Sequence, residues 1–327
     1  MHLRTTFKVP PFEPKISHQS KMLSIGSCFS TMIGKKLLDR KFQVLNNPFG
    51  TIYNPVSLFQ LLQQSFLNNQ PDSSLLLEYQ QRYYHYGMHS SISANTEEEL
   101  WADITKYQIS TREFISKASH LFITFGTAFI YETKATGKPV ANCHKQPQSI
   151  FNKRLLEVAE MMESFNNFNT VIQEVNPNAR VIVTVSPVRH IKDGIPENQL
   201  SKSLLRIFSH QLQEDHREVS YFPSYELMMD DLRDYRFYKE DLIHPTPLAE
   251  DYIWEVFKDC YLDKPTTEIL KTIEGILGSL QHKPFHPESE AHRQFLFKLL
   301  QKMERLTPEF DFSNEIKEVK SKLGTDF

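Results

Sequence analysis

Cysteine is scarce in this 327-residue chain: Cys28, Cys143 and Cys260 are far apart, odd in number and without a Cys-x-x-Cys spacing. That argues against a disulfide framework and a zinc knuckle, and no other cluster supplies three or four metal ligands, so no metal is expected. An excess of one charge is lacking too. With 37 Lys+Arg against 40 Asp+Glu, and no run of like charge, neither nucleic acid nor a membrane is an expected partner. No eighteen apolar residues run together, and the opening MHLRTTFKVPPFEPKISHQS scatters prolines and charges where a leader would have an apolar core. These absences predict an unexported, cytoplasmic protein. The chain also has no internal repeat, no low-complexity tract and no Gly-x-Gly-x-x-Gly spacing for a dinucleotide, so no cofactor is expected.

What is present is a 40% hydrophobic content, enough for a real core, arranged as short apolar runs that alternate with stretches of helical period. MLSI, FQVL (42–45), SHLFITFG (119–126), ARVIVTVSP and VSYFPS read as five strands. Helices are expected over 29–39, 150–175, NQLSKSLLRIFSHQLQE and TPLAEDYIWEVFKDC, the last with Thr246 as N-cap. In the 150–175 helix, Leu155, Val158, Ala159 and Met162 would form the apolar side. Strands separated by helices predict an open, mainly parallel five-stranded sheet in a three-layer α/β/α sandwich. An insertion over about 68–107 begins with the loop NNQPDSS, carries the aromatic patch YYHYGMHSS and ends in a helix around EEELWADITKY. Beyond 262 the pattern is helical, with stripes at Ile269, Ile273, Ile276, Leu280 and at Phe295, Leu299, Met303, Leu306. Residues 1–262 therefore read as the α/β domain and 263–327 as a helical hairpin that stabilises it or makes a homo-oligomer.

Polar residues collect after the strands, where open parallel sheets bind ligands. Ser27 and Cys28, two candidate nucleophiles, follow strand one; Gly50 follows strand two, Thr127 strand three, and Arg189 and His190 strand four. In DLIHP, Asp241 precedes His244 by three residues, a spacing that lets the carboxylate take the imidazole Nδ1 proton and leave Nε2 as a base. Singly, each of these also reads as a turn, a solvated strand exit or a surface loop, the last including Asn142, His144 and Lys145 in ANCHKQP.

Their order carries more. SIGSCFS, NPFGTIYNP, HSSIS, FGTAFIYE, ANCHKQP, TVSPVRHIKDGIPENQLSK and DLIHPTPLAEDYIWE closely resemble the GSCFA family, which is similar to SGNH (GDSL-like) hydrolases. The resemblance spans roughly 20–260. It implies a flavodoxin-like sandwich and a serine esterase or acyltransferase, with Ser27 as nucleophile, His244 as base and Asp241 as its orienting partner. The N–H groups of Ser27 and Gly50 would form the oxyanion hole. Ala128 stands where the third SGNH block has an asparagine donor, which Asn142 or His144 would have to replace; Ser30 stands where the family name has Ala. His89, Thr127, His144, Lys145, Arg189 and His190 would line the substrate pocket, suiting a hydrophilic ester such as an acylated carbohydrate. The competing expectation is a weakened hydrolase that binds a carbohydrate or anionic metabolite without turnover. Cys28 would pack beneath the corner rather than react.

Overall fold

The computed structural model describes residues 4–67 and 71–324. In chain order, β1 (Lys21–Gly26), α1 (Cys28–Asp39), β2 (Gln43–Asn46) and α2 (Pro55–Leu67) open the domain. The hairpin β3 (Leu76–Tyr79) and β4 (Arg82–His85) leads to α3 (Glu97–Ile115) and β5 (His120–Phe125). A small sheet follows, of β6 (Phe129–Thr133), β7 (Pro139–Val140) and β8 (Phe151–Leu155). Next come α4 (Val158–Val175), β9 (Arg180–Val185), α5 (Ile195–Asp215), β10 (Val219–Tyr221) and the single turn α6 (Ser224–Glu226), which runs into a π-helical stretch at Leu227–Asp231. The chain closes with α7 (Pro247–Tyr261), α8 (Lys264–Gln281), α9 (Glu290–Leu306) and α10 (Ser313–Leu323).

The main sheet runs β10-β9-β5-β1-β2, every pair parallel. Counting only its own strands this is the doubly wound order 2-1-3-4-5, whose direction reverses between β1 and β5. Side-chain alternation divides the interior in two. Leu23, Ile25, Leu121, Ile123, Val181 and Val183 face a core completed by α2, α3, α4 and α5. Met22, Phe122 and Ile182 face the other core, filled by Phe29 and Ile33 of α1 and Ile253, Trp254 and Phe257 of α7. Helices thus cover both faces, which explains central strands that are buried along their length and mostly apolar. No helix among the described residues is long and apolar enough to cross a membrane.

The five strands lie where the sequence places them, and Thr246 caps α7 by accepting the Ala249 N–H at 3.3 Å. The expected 150–175 helix does not begin at 150. Phe151–Leu155 instead pairs antiparallel with Phe129–Thr133, and α4 starts only after Glu157, whose capping box with Glu160 fixes its end. The buried side of α4 is correspondingly Met161, Phe165, Phe168 and Ile172, while Ala159 is exposed. Leu155 and Val158 fit a helical period, but two-residue alternation over five residues is equally well a strand, and the partner strand decides it. In the inserted region the first three loop residues, 68–70, lie outside the described ones; the helix there extends to Ile115 and adds Leu100, Ile104 and Ile115 to the larger core.

The C-terminal helices are three, α10 folding over the expected pair, with a core of their own around Ile273, Leu299, Met303 and Phe312. They join the α/β part through Leu270 of α8, which packs into the second core, and through polar and aromatic groups. Arg40 Nε donates to Glu274 at 2.7 Å, Lys41 to Glu315 at 2.6 Å, and the His18 ring lies between Phe42 and Phe310.

Candidate active site at the carboxyl ends of the strands

β1 ends at Gly26, whose φ of +128° and crowding both demand glycine: a Cβ there would lie 2.1 Å from the Thr124 carbonyl oxygen of β5. The Gly26 N–H donates to Asn47 Oδ1 at 2.8 Å, and its carbonyl accepts the Ile52 N–H at 2.9 Å. NPFGTIYNP is therefore wrapped around this corner. Further along it, the Tyr53 carbonyl accepts the N–H groups of Gly126 and Thr127 at 2.7 and 3.1 Å, tying the ends of β1 and β5 together. Asn47 and Tyr53 are structural keys that composition and pattern do not single out.

Ser27 is the N-cap of α1, its Oγ accepting the Phe29 N–H at 3.3 Å, and it is fully buried. Ser30 braces the turn, donating its hydroxyl to the Ile25 carbonyl at 2.7 Å, a bond an alanine could not make. The Ser27 N–H donates to Thr124 O at 3.1 Å, and the Gly50 N–H to Asn47 O at 2.9 Å. Both expected oxyanion donors are thus spent on the backbone, because each closes the turn that shapes its own loop. Of the first-turn amides, those of Phe29 and Ser30 bond back to Ser27, leaving that of Cys28 without an oxygen acceptor among the described residues. Burial pushes the Cys28 thiol up; the Lys202 charge opposes that less strongly.

The second half of the site is the loop before α7. His244 Nδ1–H donates to Asp241 Oδ2 at 2.7 Å, while Asp241 Oδ1 accepts the Ile243 and His244 amides at 2.8 and 3.0 Å. The two amides and the ring together hold the Asp241 carboxyl down at about 2. The orienting bond expected from Asp-x-x-His is formed, and Nε2 has no hydrogen bond among the described residues. Side-chain exposures are 41% for His244 and 44% for Asp241, against none for Ser27. Among the described residues no hydrogen bond joins Ser27 to His244.

Arg189 anchors this loop and lines a cavity beside it with Tyr235 and Tyr238. Its guanidinium lies 4.3 Å from the Tyr238 ring centre and 5.5 Å from that of Tyr235, and the Arg189 backbone N–H donates to the Ile243 carbonyl at 3.3 Å. His190 is no polar rim. It packs edge-on to Tyr53 at 5.1 Å, its Nε2 has no hydrogen-bond partner among the described residues, and burial first, then the Lys202 and His244 charges, push it down to about 3. Beneath it lies Lys202 of α5, 1% exposed, donating to the Gly126 and Ser186 carbonyls at 2.8 Å each. The motif ending in SK contains this lysine, yet a lysine on a helix otherwise reads as solvated.

The other expected site residues serve the fold. The Asn142 Oδ1 accepts the His144 N–H at 2.9 Å within its own loop. His144 is 3% exposed, bonded to the His85 carbonyl and Ser90 hydroxyl, and burial pushes it below the usual imidazole range. Thr127 Oγ1 accepts the Phe129 N–H at 3.1 Å and meets Ser201. His89 does approach the corner: a Cβ on Gly50, at φ +71°, would lie 2.3 Å from its Cβ. Lys145 is exposed. Exposed Leu242 and Leu248, two residues before and four after His244, give that side of the rim an apolar part.

Fold and site together define a doubly wound α/β/α protein with an oriented Asp-His pair and a serine-capped helix at its strand ends. The GSCFA family matches residues 21–257, and the chain belongs to that family. Residues 273–325 match the C-terminal domain described for GSCFA domain proteins, in the region of α8–α10. No curated protein matches the chain.

Proposed function

We propose that the protein is a serine hydrolase or acyltransferase of the SGNH type, acting on a carboxylic ester such as an O-acylated carbohydrate. The observation that carries this reading is the 2.7 Å bond from His244 Nδ1 to Asp241, which fixes the tautomer with Nε2 as acceptor. Ser27 Oγ attacks the ester carbonyl and forms the O–C bond while its proton passes to His244 Nε2; the carbonyl electron pair moves to oxygen. The α1 N-terminus and the Cys28 amide, which has no oxygen acceptor among the described residues, receive that oxyanion. Collapse expels the alkoxide, which takes the proton from His244, and water or an acceptor hydroxyl then releases the acyl group. A bond from Ser27 Oγ to His244 Nε2 has to form as substrate displaces the Phe29 amide from Oγ, since catalytic contacts are often completed only in the substrate complex.

Labelling by a fluorophosphonate tests the reading. Wild type should be modified at Ser27, Ser27→Ala should not react, and Asp241→Asn should react about a hundredfold or more slowly with unchanged thermal unfolding. A second reading, a binding module without turnover, is favoured by the burial of Ser27 and the engaged Ser27 and Gly50 amides. Under it, wild type stays unlabelled.

A further inference from the structure

We propose that Lys202 is a positioning residue of the serine site: it ties the ends of β5 and β9 together beneath the Ser27 corner and sets a fixed positive charge against the anion that forms there. This rests on the hydrolase reading above. Gly126 and Ser186, whose carbonyls accept from Lys202 Nζ, are the residues immediately after β5 and β9. β5 also neighbours β1, with Thr124 opposite Gly26, so the ammonium sits at the strand ends beside the nucleophile's turn.

Lys202 is 1% exposed and has no carboxylate partner among the described residues. Two of its three N–H bonds are satisfied by carbonyls. A cation buried in this way is costly, and an uncharged donor could bridge two carbonyls more cheaply. The charge gains a use where negative charge develops nearby. The ordinary donors are weak here, since Ala128 offers no side-chain amide and the Ser27 and Gly50 N–H groups are engaged. Lys202 acts through the field and through the strand ends it holds, and it passes no proton to substrate.

The titratable groups around it are Cys28 on α1 and His190 after β9, with Tyr225 of α6 5.9 Å away by its ring; Glu250 of α7 acts on Cys28 and His244 on His190. Burial pulls Lys202 down to about 7, against a smaller upward pull from Cys28, while His190 stays neutral above about 3. An anion at Ser27 therefore favours the protonated amine, and reactivity should decline as pH rises beyond the point where Lys202 releases its proton.

The experiment is fluorophosphonate labelling of the full-length protein from pH 5 to 9.5, in wild type and Lys202→Met. Wild type should lose rate on the alkaline side. The folded variant should show a maximal rate about tenfold or more lower, half-saturation within about threefold, and no alkaline decline. An unchanged maximal rate with the decline retained overturns the proposal. If Lys202→Met fails to fold, wild type decides, because a flat profile from pH 7 to 9.5 overturns it. Cys28→Ala should keep the decline whatever its rate; a decline that vanishes with the thiol overturns the assignment to Lys202. A wild type labelled with the wrong profile sinks this proposal alone, whereas a wild type never labelled sinks the hydrolase reading with it.

Discussion

The two halves of the candidate site are built in opposite ways. The Ser27 corner is buried and over-determined: Gly26 fits against Thr124, Asn47 holds its amide, and Ser30 ties the first helical turn to β1. The Asp241–His244 loop is exposed, and rests on a few bonds of its own plus the Arg189 stack. A nucleophile at a helix start needs a fixed backbone, whereas a base must meet an incoming substrate. The difference teaches that precision here comes from backbone packing on one side and from side-chain anchoring on the other.

The comparison breaks most visibly at Gly26. Gly26→Ala forces a Cβ onto the Thr124 carbonyl at a φ that L-residues avoid, and should cost at least about 4 kcal/mol, read from the urea midpoint. A loss under about 1 kcal/mol would show that the corner yields and is not over-determined.

Acid should separate the halves next. His190 is lowered to about 3, and His18, His85, His120 and His144 are also lowered, all chiefly by burial, so as pH falls below about 6.5 the unfolded chain binds protons the folded one does not, for His190 down to about 3. Stability therefore falls as pH falls through that window, by up to about 1.4 kcal/mol per pH unit for each buried imidazole. Asp241, depressed from 3.8 to about 2, withdraws its contribution only below about pH 4. Thermal melts across pH 4–7 should slope accordingly, and His190→Asn should flatten part of the slope. A level melting temperature over that range contradicts the buried-histidine account.

The smallest effect belongs to Arg189→Met. It removes the stack on Tyr235 and Tyr238 but leaves the backbone bond to Ile243, so about 1 kcal/mol of stability should be lost. Hydrogen exchange should quicken over 238–245 and stay unchanged over 21–30. Quickening in both segments would mean that the halves are one cooperative unit.

Much of the fold was legible because its signals are local. Mostly apolar strands, helices between them and Thr246 before a proline fix the sheet and the last helix without knowledge of partners. The small sheet was not legible, since Phe151–Leu155 becomes a strand only by pairing with Phe129–Thr133. At the site, Asp241 and His244 are three residues apart and their bond follows from spacing. The roles of Gly50, Asn142, His144, Thr127 and Arg189 depend on where distant carbonyls and rings lie, and those side chains and amides turned to structural duties.

By itself, then, the sequence determined the doubly wound α/β class, the family motifs, the Asp-His spacing and the presence of a serine at a strand-to-helix corner, all properties of neighbours along the chain. Only the tertiary structure decided which amides remain free, that Lys202 is buried against two strand ends, and that Ser27 is enclosed while His244 is open. Those depend on contacts across long separations, where a hydrogen bond goes to whichever acceptor the fold brings within reach.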